Sequence, residues 1–292
     1  MCDEDSIEDM IAYNVRSRSL SRRQFGGMTL GATLMAALSP VANAAETTES
    51  EVEIKTPDGS ADAYFVHPVT GKHAGVLVWP DIFGLRPAFR QMGKRLAESG
   101  YSVLVVNPFY RIKKAPTAPE HPDFNDPPTR QALMSLMSSL TPTTTSTDAK
   151  VFIGYLDSQD ATDRNRKIGT TGYCMGGPLV FETAATIADR IGAGATFHGG
   201  GLVTDKPDSP HLLIPQMKAR FLIAIAENDD QKQPEAKNVL RDSFAKSKLP
   251  ADIEVYKGAL HGWCPPDSQV YNQEQAEKAW NRLLILFKAA LA

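Results

Sequence analysis

Two runs of unbroken apolar residues, Val76-Leu77-Val78 and Val103-Leu104-Val105-Val106, set the first expectation. Continuous rather than alternating hydrophobicity suits strands covered on both faces, as in a parallel sheet sandwiched between helices. Further β-rich runs predict strands at Glu51 to Lys55, Ala61 to His67, Gly75 to Trp79, Ser102 to Asn107, Lys167 to Tyr173, Gly192 to Phe197, Arg220 to Ala226 and Asp252 to Tyr256. Between them, helical spacing predicts helices at Arg86 to Ser99, Thr147 to Gln159, Gly177 to Asp189 and Glu235 to Ser247. A last helix, Glu274 to Leu291, puts Ala276, Trp280, Leu283, Leu284 and Phe287 on one core-facing stripe. Strands alternating with helices predict an α/β fold: a mostly parallel central sheet with helices on both faces. The Pro-rich stretch from Arg111 to Thr129 shows no period and reads as a long loop of the kind that is usually functional or mobile.

The N-terminal segment breaks this alternation. Five acidic residues precede Asn14, and Ser21-Arg22-Arg23-Gln24-Phe25 then leads into a weakly apolar run, Gly26 to Leu38. Small residues follow in Ala42-Asn43-Ala44. Charged, apolar, small is the order of an export signal, and paired arginines before a mild apolar run resemble a twin-arginine signal. The run is short of the roughly 20 residues that a membrane span needs. The expected organisation is a signal segment over 1–44, a polar linker over 45–51 and a single domain over 52–292, exported and without a stable span after cleavage.

Composition narrows the function classes without choosing one. A formal charge of -3 gives no basic footprint for nucleic acid. With 3 Cys in 292 residues, a buried core rather than disulfides must hold the fold.

The chemistry concentrates in Gly172-Tyr173-Cys174-Met175-Gly176-Gly177, between a strand-like and a helix-like run. A nucleophile elbow is a strained strand-to-helix turn, which needs small residues two positions before and two after the nucleophile. Gly172 and Gly176 meet that demand around Cys174. A thiolate is intrinsically nucleophilic, and a helix start favours the anion. Taken alone, the segment also fits a small buried Cys in a Gly-rich turn.

Its partners follow in the order nucleophile, acid, histidine. The strand ending at Ala226 runs into Glu227-Asn228-Asp229-Asp230, where either Asp229 or Asp230 could serve. The strand ending at Tyr256 leads to a loop carrying His261. His198, before Gly199-Gly200-Gly201, is placed to line the same cleft. An oxyanion hole needs two converging backbone N–H groups. Met175 and Ile82, the latter in the loop after the early central strand, are the candidates.

Together, Asp81-Ile82-Phe83-Gly84, Gly172-Tyr173-Cys174-Met175-Gly176-Gly177, Ala226-Glu227-Asn228-Asp229 and His261-Gly262-Trp263 resemble the dienelactone hydrolase family from about residue 52 onward. The resemblance implies a single α/β-hydrolase domain that acts on lactones and small esters with no metal and no cofactor. It implies Cys174 as nucleophile, His261 as base and Asp229 as orienting acid, with one extra residue before Pro234 leaving Asp230 open. It also implies that Asp81 contacts and activates the resting thiol, although many members carry the longer Glu there. Members hold a substrate carboxylate with an arginine; Arg111 and Arg130 lie in the corresponding region without matching a motif. Cys264, three residues past His261, reads as a packed thiol rather than a disulfide partner of Cys174. Other readings on the same fold are a carboxylesterase, a thioesterase, or a silent binding or redox-responsive protein. The sequence leaves oligomeric state open.

Overall fold

The computed structural model describes residues 38–119, 122, 124 and 126–292. Most of the segment read as an export signal, residues 1–37, lies outside the described residues. Among those described, no helix is long and apolar enough to cross a membrane.

Eight strands form one sheet in the order β1-β2-β4-β3-β5-β6-β7-β8. They are β1 (Thr47–Thr56), β2 (Gly59–Pro68), β3 (Gly75–Trp79), β4 (Ser102–Val106), β5 (Ile168–Tyr173), β6 (Ile191–Phe197), β7 (Arg220–Ala226) and β8 (Ala251–Tyr256). The β1–β2 and β2–β4 pairings are antiparallel and the remaining ones parallel. All five residues of β3 and of β4 are buried, as their unbroken apolar runs demand.

Helices cover both faces. On one lie α1 (Pro87–Glu98) and the C-terminal α7 (Gln273–Ala290), whose Phe89, Leu96, Trp280, Leu283 and Phe287 share a core with Val76, Val78 and Val103. Arg95 ties these two helices together: it pairs with Glu277 at 2.6 Å and stacks 4.3 Å from the Trp280 ring centroid. On the other face lie α2 (Pro127–Met137), α3 (Pro142–Ser158), α4 (Gly176–Thr186) and α6 (Ala236–Lys246). Leu136, Phe152, Phe181 and Phe244 from these helices pack with Leu77 and Leu104. Each fully buried Phe on either face contributes roughly 1.5–3 kcal/mol relative to exposure. A short helix, α5 (Glu227–Lys232), follows β7 directly.

Three expectations are corrected. Most of the stretch read as a linker, from Thr47 onward, is the first half of β1, paired residue by residue with β2 up to Thr47 opposite Pro68. An edge strand exposes one face, so its residues carry the polar composition of a linker. The loop read as running to Thr129 ends at Asp126, which caps α2 by accepting from the Thr129 N–H at 3.0 Å, with Pro127 in the first turn. Helix α3 begins at Pro142 rather than Thr147, because Thr141 and Thr144 form a reciprocal capping box that outweighs a run of poor helix formers.

Parallel strands deliver every candidate residue to one edge. Trp79, Tyr173, Phe197, Ala226 and Tyr256 end β3, β5, β6, β7 and β8. The segments that follow them carry Asp81, Cys174, His198, Asp229 (in α5) and His261. That carboxyl edge is where open α/β sheets bind ligands.

Candidate active site

The turn after β5 is built by what its glycines exclude. A methyl group on Gly172 would sit 2.1 Å from the Gly176 carbonyl oxygen, and one on Gly176 would sit 2.4 Å from the Trp79 carbonyl oxygen. Both distances are far inside van der Waals contact, so neither position tolerates even alanine unless the backbone moves. The close approach seats the start of α4 against the end of β3. Between the glycines, Cys174 adopts φ +51°, a left-handed conformation that costs an L-residue of order 1–3 kcal/mol and persists only when its surroundings enforce it. Its own N–H donates to the Phe197 carbonyl at 3.1 Å, and its carbonyl accepts from Gly177 N–H at 3.0 Å.

The neighbouring loop repeats the device. His198 has φ +42°, and its N–H donates to the Ala224 carbonyl at 2.8 Å. Its ring is buried, edge-on to His261 at 5.1 Å and to Trp263 at 5.0 Å between centroids. Neither ring nitrogen has a hydrogen-bond partner among the described residues. Burial first, and then the nearby His261, hold its pKa well below the usual imidazole value, so His198 is neutral.

His261 is held by three consecutive residues at the end of β7. Glu227 Oε2 accepts from Gly258 N–H at 3.1 Å, Asn228 Oδ1 from His261 N–H at 2.9 Å, and Asp229 Oδ2 lies 2.8 Å from His261 Nδ1. Burial alone would lower the His261 pKa. The Asp229 carboxylate, bonded to Nδ1, and the nearby Cys174 sulfur outweigh it and lift the pKa well above the ordinary value. The neighbouring Asp230 points elsewhere, pairing with Lys237 Nζ at 2.6 Å.

Asp81 lies in the loop after β3. Its carboxylate receives Arg86 Nη1 at 2.6 Å, Arg86 Nη2 at 2.9 Å and the Phe83 N–H at 2.9 Å. Arg86 turns its other edge to Asp267, with Nε at 2.7 Å and Nη2 at 3.0 Å. The sequence reading did not single out Arg86 or Asp267. In the sequence Arg86 reads only as the residue ahead of a helix-starting proline, and Asp267 lies 181 positions away. Of the arginines the sequence pointed to, Arg111 is pinned by Asp58 and Asp148, at 2.6 and 2.7 Å. Arg130 lies in α2, and neither arginine lines the cavity described next.

These loops enclose a cavity of about 270 Å³. Cys174, His198 and His261 reach it, together with Ile82, Phe83 and Phe124 and the Asp81–Arg86–Asp267 cluster. The volume lies just under the roughly 300–1,000 Å³ of drug-sized ligand pockets, which suits a small substrate. Hydrogen bonds within the two turns occupy the N–H groups of Phe83, Gly84, Cys174 and Gly177; those of Ile82 and Met175 are not among them. Cys264 is buried in the core on the opposite face of the sheet from Cys174, and neither is in a disulfide. Burial pushes the Cys264 thiol well above its usual pKa, which makes it an inert packing group.

Residues 61–291 match the model of the dienelactone hydrolase family. A probable 2-oxo-3-(5-oxofuran-2-ylidene)propanoate lactonase from a Bradyrhizobium species is 25% identical, the match covering 81% of this chain and 92% of the relative. A putative carboxymethylenebutenolidase from Methylorubrum extorquens is 26% identical, over 96% and 98%. Among solved structures, a putative dienelactone hydrolase from Klebsiella pneumoniae superposes with a TM-score of 0.71 at 22% identity, covering 83% of this chain and 99% of its own.

Proposed function

The chain belongs to the dienelactone hydrolase family, and from that premise we propose that it hydrolyses a small carboxylic ester or lactone through a thioester on Cys174. The observation that carries this reading is the convergence on one cavity of a thiol in a strained strand-to-helix turn and a histidine whose Nδ1 lies 2.8 Å from a carboxylate.

The raised pKa of His261 favours an imidazolium beside Cys174, and the start of α4 favours the sulfur as thiolate. Sγ attacks the substrate carbonyl carbon, forming the S–C bond and moving the carbonyl electron pair onto oxygen. The N–H groups of Ile82 and Met175 receive that oxyanion; one such donor is worth roughly 2.7–4 kcal/mol in comparable sites. The intermediate collapses, the C–O bond breaks, and the leaving oxygen takes the proton from His261. Water then attacks the thioester as neutral His261 accepts its proton. Breakage of the C–S bond releases the acid and restores the thiolate–imidazolium pair. Asp229 fixes the ring so that Nε2 faces the sulfur and the charge that forms is compensated.

The test compares wild type with Cys174→Ala on a panel containing a small activated phenyl ester and a dienelactone. Wild type turns over, and the variant loses at least about 10³-fold in kcat. A single turnover in acid quench followed by mass analysis finds the acyl group on Cys174. Equal inactivity of both folded, reduced proteins across the panel would overturn the reading in favour of a silent scaffold.

A further inference from the structure

Arg86 is the sole cation that the described residues present to the cavity, apart from a protonated His261. A guanidinium has five N–H bonds in a fixed fork. Here Nε and Nη2 bond Asp267, Nη1 and Nη2 bond Asp81, and the remaining Nη1–H points at the Gly84 carbonyl at 3.4 Å. The faces are covered as well, by Phe83 with its ring centroid at 5.4 Å and Phe89 at 4.9 Å. The side chain is 12% exposed and Asp81 9%. Arg86 is a strut fixing the oxyanion loop, with no donor left for a ligand. Two carboxylates against one guanidinium leave this wall of the cavity one negative charge in excess. Among the described residues the rest of the lining adds no cation: Ile82, Phe83, Phe124 and Val270 are apolar, and His198 is held neutral.

Resting on the hydrolase reading above, we propose that the site selects uncharged esters or lactones and disfavours substrates that carry a carboxylate, with Asp267 as the residue that sets this preference by occupying Arg86. An incoming carboxylate meets the excess negative charge. To reach Arg86 it must displace a carboxylate already bonded to two of its nitrogens. A neutral acyl or leaving group loses nothing at that wall and gains the apolar surface of Ile82, Phe83 and Phe124. Asp267, 26% exposed, is the removable partner; Asp81 is also bonded to the loop's own Phe83 amide and holds Arg86 in place without it.

The experiment uses phenyl esters in matched pairs, carboxylate against carboxamide, with the group placed once on the leaving phenol and once on the acyl chain. Rates are normalised to hydroxide hydrolysis of the same esters. In wild type the carboxamide is favoured in kcat/KM by about tenfold or more in the placement that reaches Arg86, and neither placement favours the carboxylate. In Asp267→Ala that penalty, read as the ratio between the two members of a pair, shrinks about five- to tenfold, chiefly through KM of the carboxylate member. Asp267→Asn, which keeps the size and removes the charge, moves the ratio in the same direction. A wild-type preference for the carboxylate, or a ratio unmoved in both variants, overturns the inference while leaving the hydrolase reading intact. Failure to cleave either member of any pair overturns the hydrolase reading itself.

Discussion

Two aspartates stand at the same sheet edge, each bonded to a basic side chain at nearly the same distance. Asp229 lies 2.8 Å from His261 and Asp81 lies 2.6 Å from Arg86. Their partners make them opposite devices. An imidazole gains and loses its proton within the working pH range, so a carboxylate beside it sets where the proton resides. A guanidinium never releases its proton in a protein, so a carboxylate beside it can only position it. The first pair can move charge during a reaction, and the second is a fixed brace. Distance alone does not distinguish them; the ionisation chemistry of the partner does.

The largest expected effect comes from disabling the first pair. Asp229→Asn preserves the shape but removes the charge that raises the His261 pKa, and it permits the wrong ring tautomer. Activity on a neutral phenyl ester falls by about 10²–10⁴-fold. The alkaline limb of the kcat/KM profile moves to lower pH, because the imidazolium is no longer stabilised. Stability follows the same sign. A histidine whose folded pKa exceeds its unfolded value of 6.5 stabilises the fold fully below that value and loses the contribution as pH rises through the folded pKa. The stability gap between wild type and Asp229→Asn is therefore widest just below pH 6.5 and closes toward alkaline pH, which urea melts across that range measure. An unshifted alkaline limb would remove the proton-setting role and reduce Asp229 to a brace like Asp81.

Breaking the brace costs stability first. Arg86→Met keeps the length and apolar stem but leaves the buried Asp81 without its cation. Removing one member of a buried pair costs about 3–5 kcal/mol. The urea midpoint falls accordingly, with unchanged slope if the unfolded ensemble is the same. Activity falls less than in Asp229→Asn, since the carboxylate bonded to His261 is untouched. A loss of activity without a loss of stability would mean that Arg86 touches substrate.

The two devices were not equally legible in the sequence. The first depends on local pattern: two glycines spaced four apart around Cys174, and acid and histidine loops each directly after a strand. Strand boundaries fell within a residue or two for most of the sheet because apolar runs end where the chain leaves the core. The second depends on a contact between Arg86 and Asp267 that no local period encodes. The resemblance pointed to Asp81, whose carboxylate is bonded to Arg86; the sequence showed the acid but not this cation. Helix α5 was missed for a related reason. Glu227-Asn228-Asp229-Asp230 is a poor helix former by propensity, and it folds because Glu227 and Asn228 bond the loop that carries His261.

The choice between Asp229 and Asp230 is the smallest expected effect and the sharpest control on the comparison. Adjacent in sequence and alike in charge, they differ only in the direction the first turn of α5 gives them. Asp230 meets Lys237 at 2.6 Å with both side chains more than a fifth exposed, so the pair is worth at most about 0–1 kcal/mol. Asp230→Asn keeps kcat/KM within about twofold and leaves the pH profile in place, because it alters neither the Nδ1 contact nor the local charge on His261. If Asp230→Asn instead lost as much activity as Asp229→Asn, the long-range field of the acidic turn would be acting on His261 rather than one bonded carboxylate. Raised salt decides between these causes: a field across solvent weakens over a Debye length of about 10 Å at 0.1 M, whereas a bonded, buried carboxylate keeps its hold.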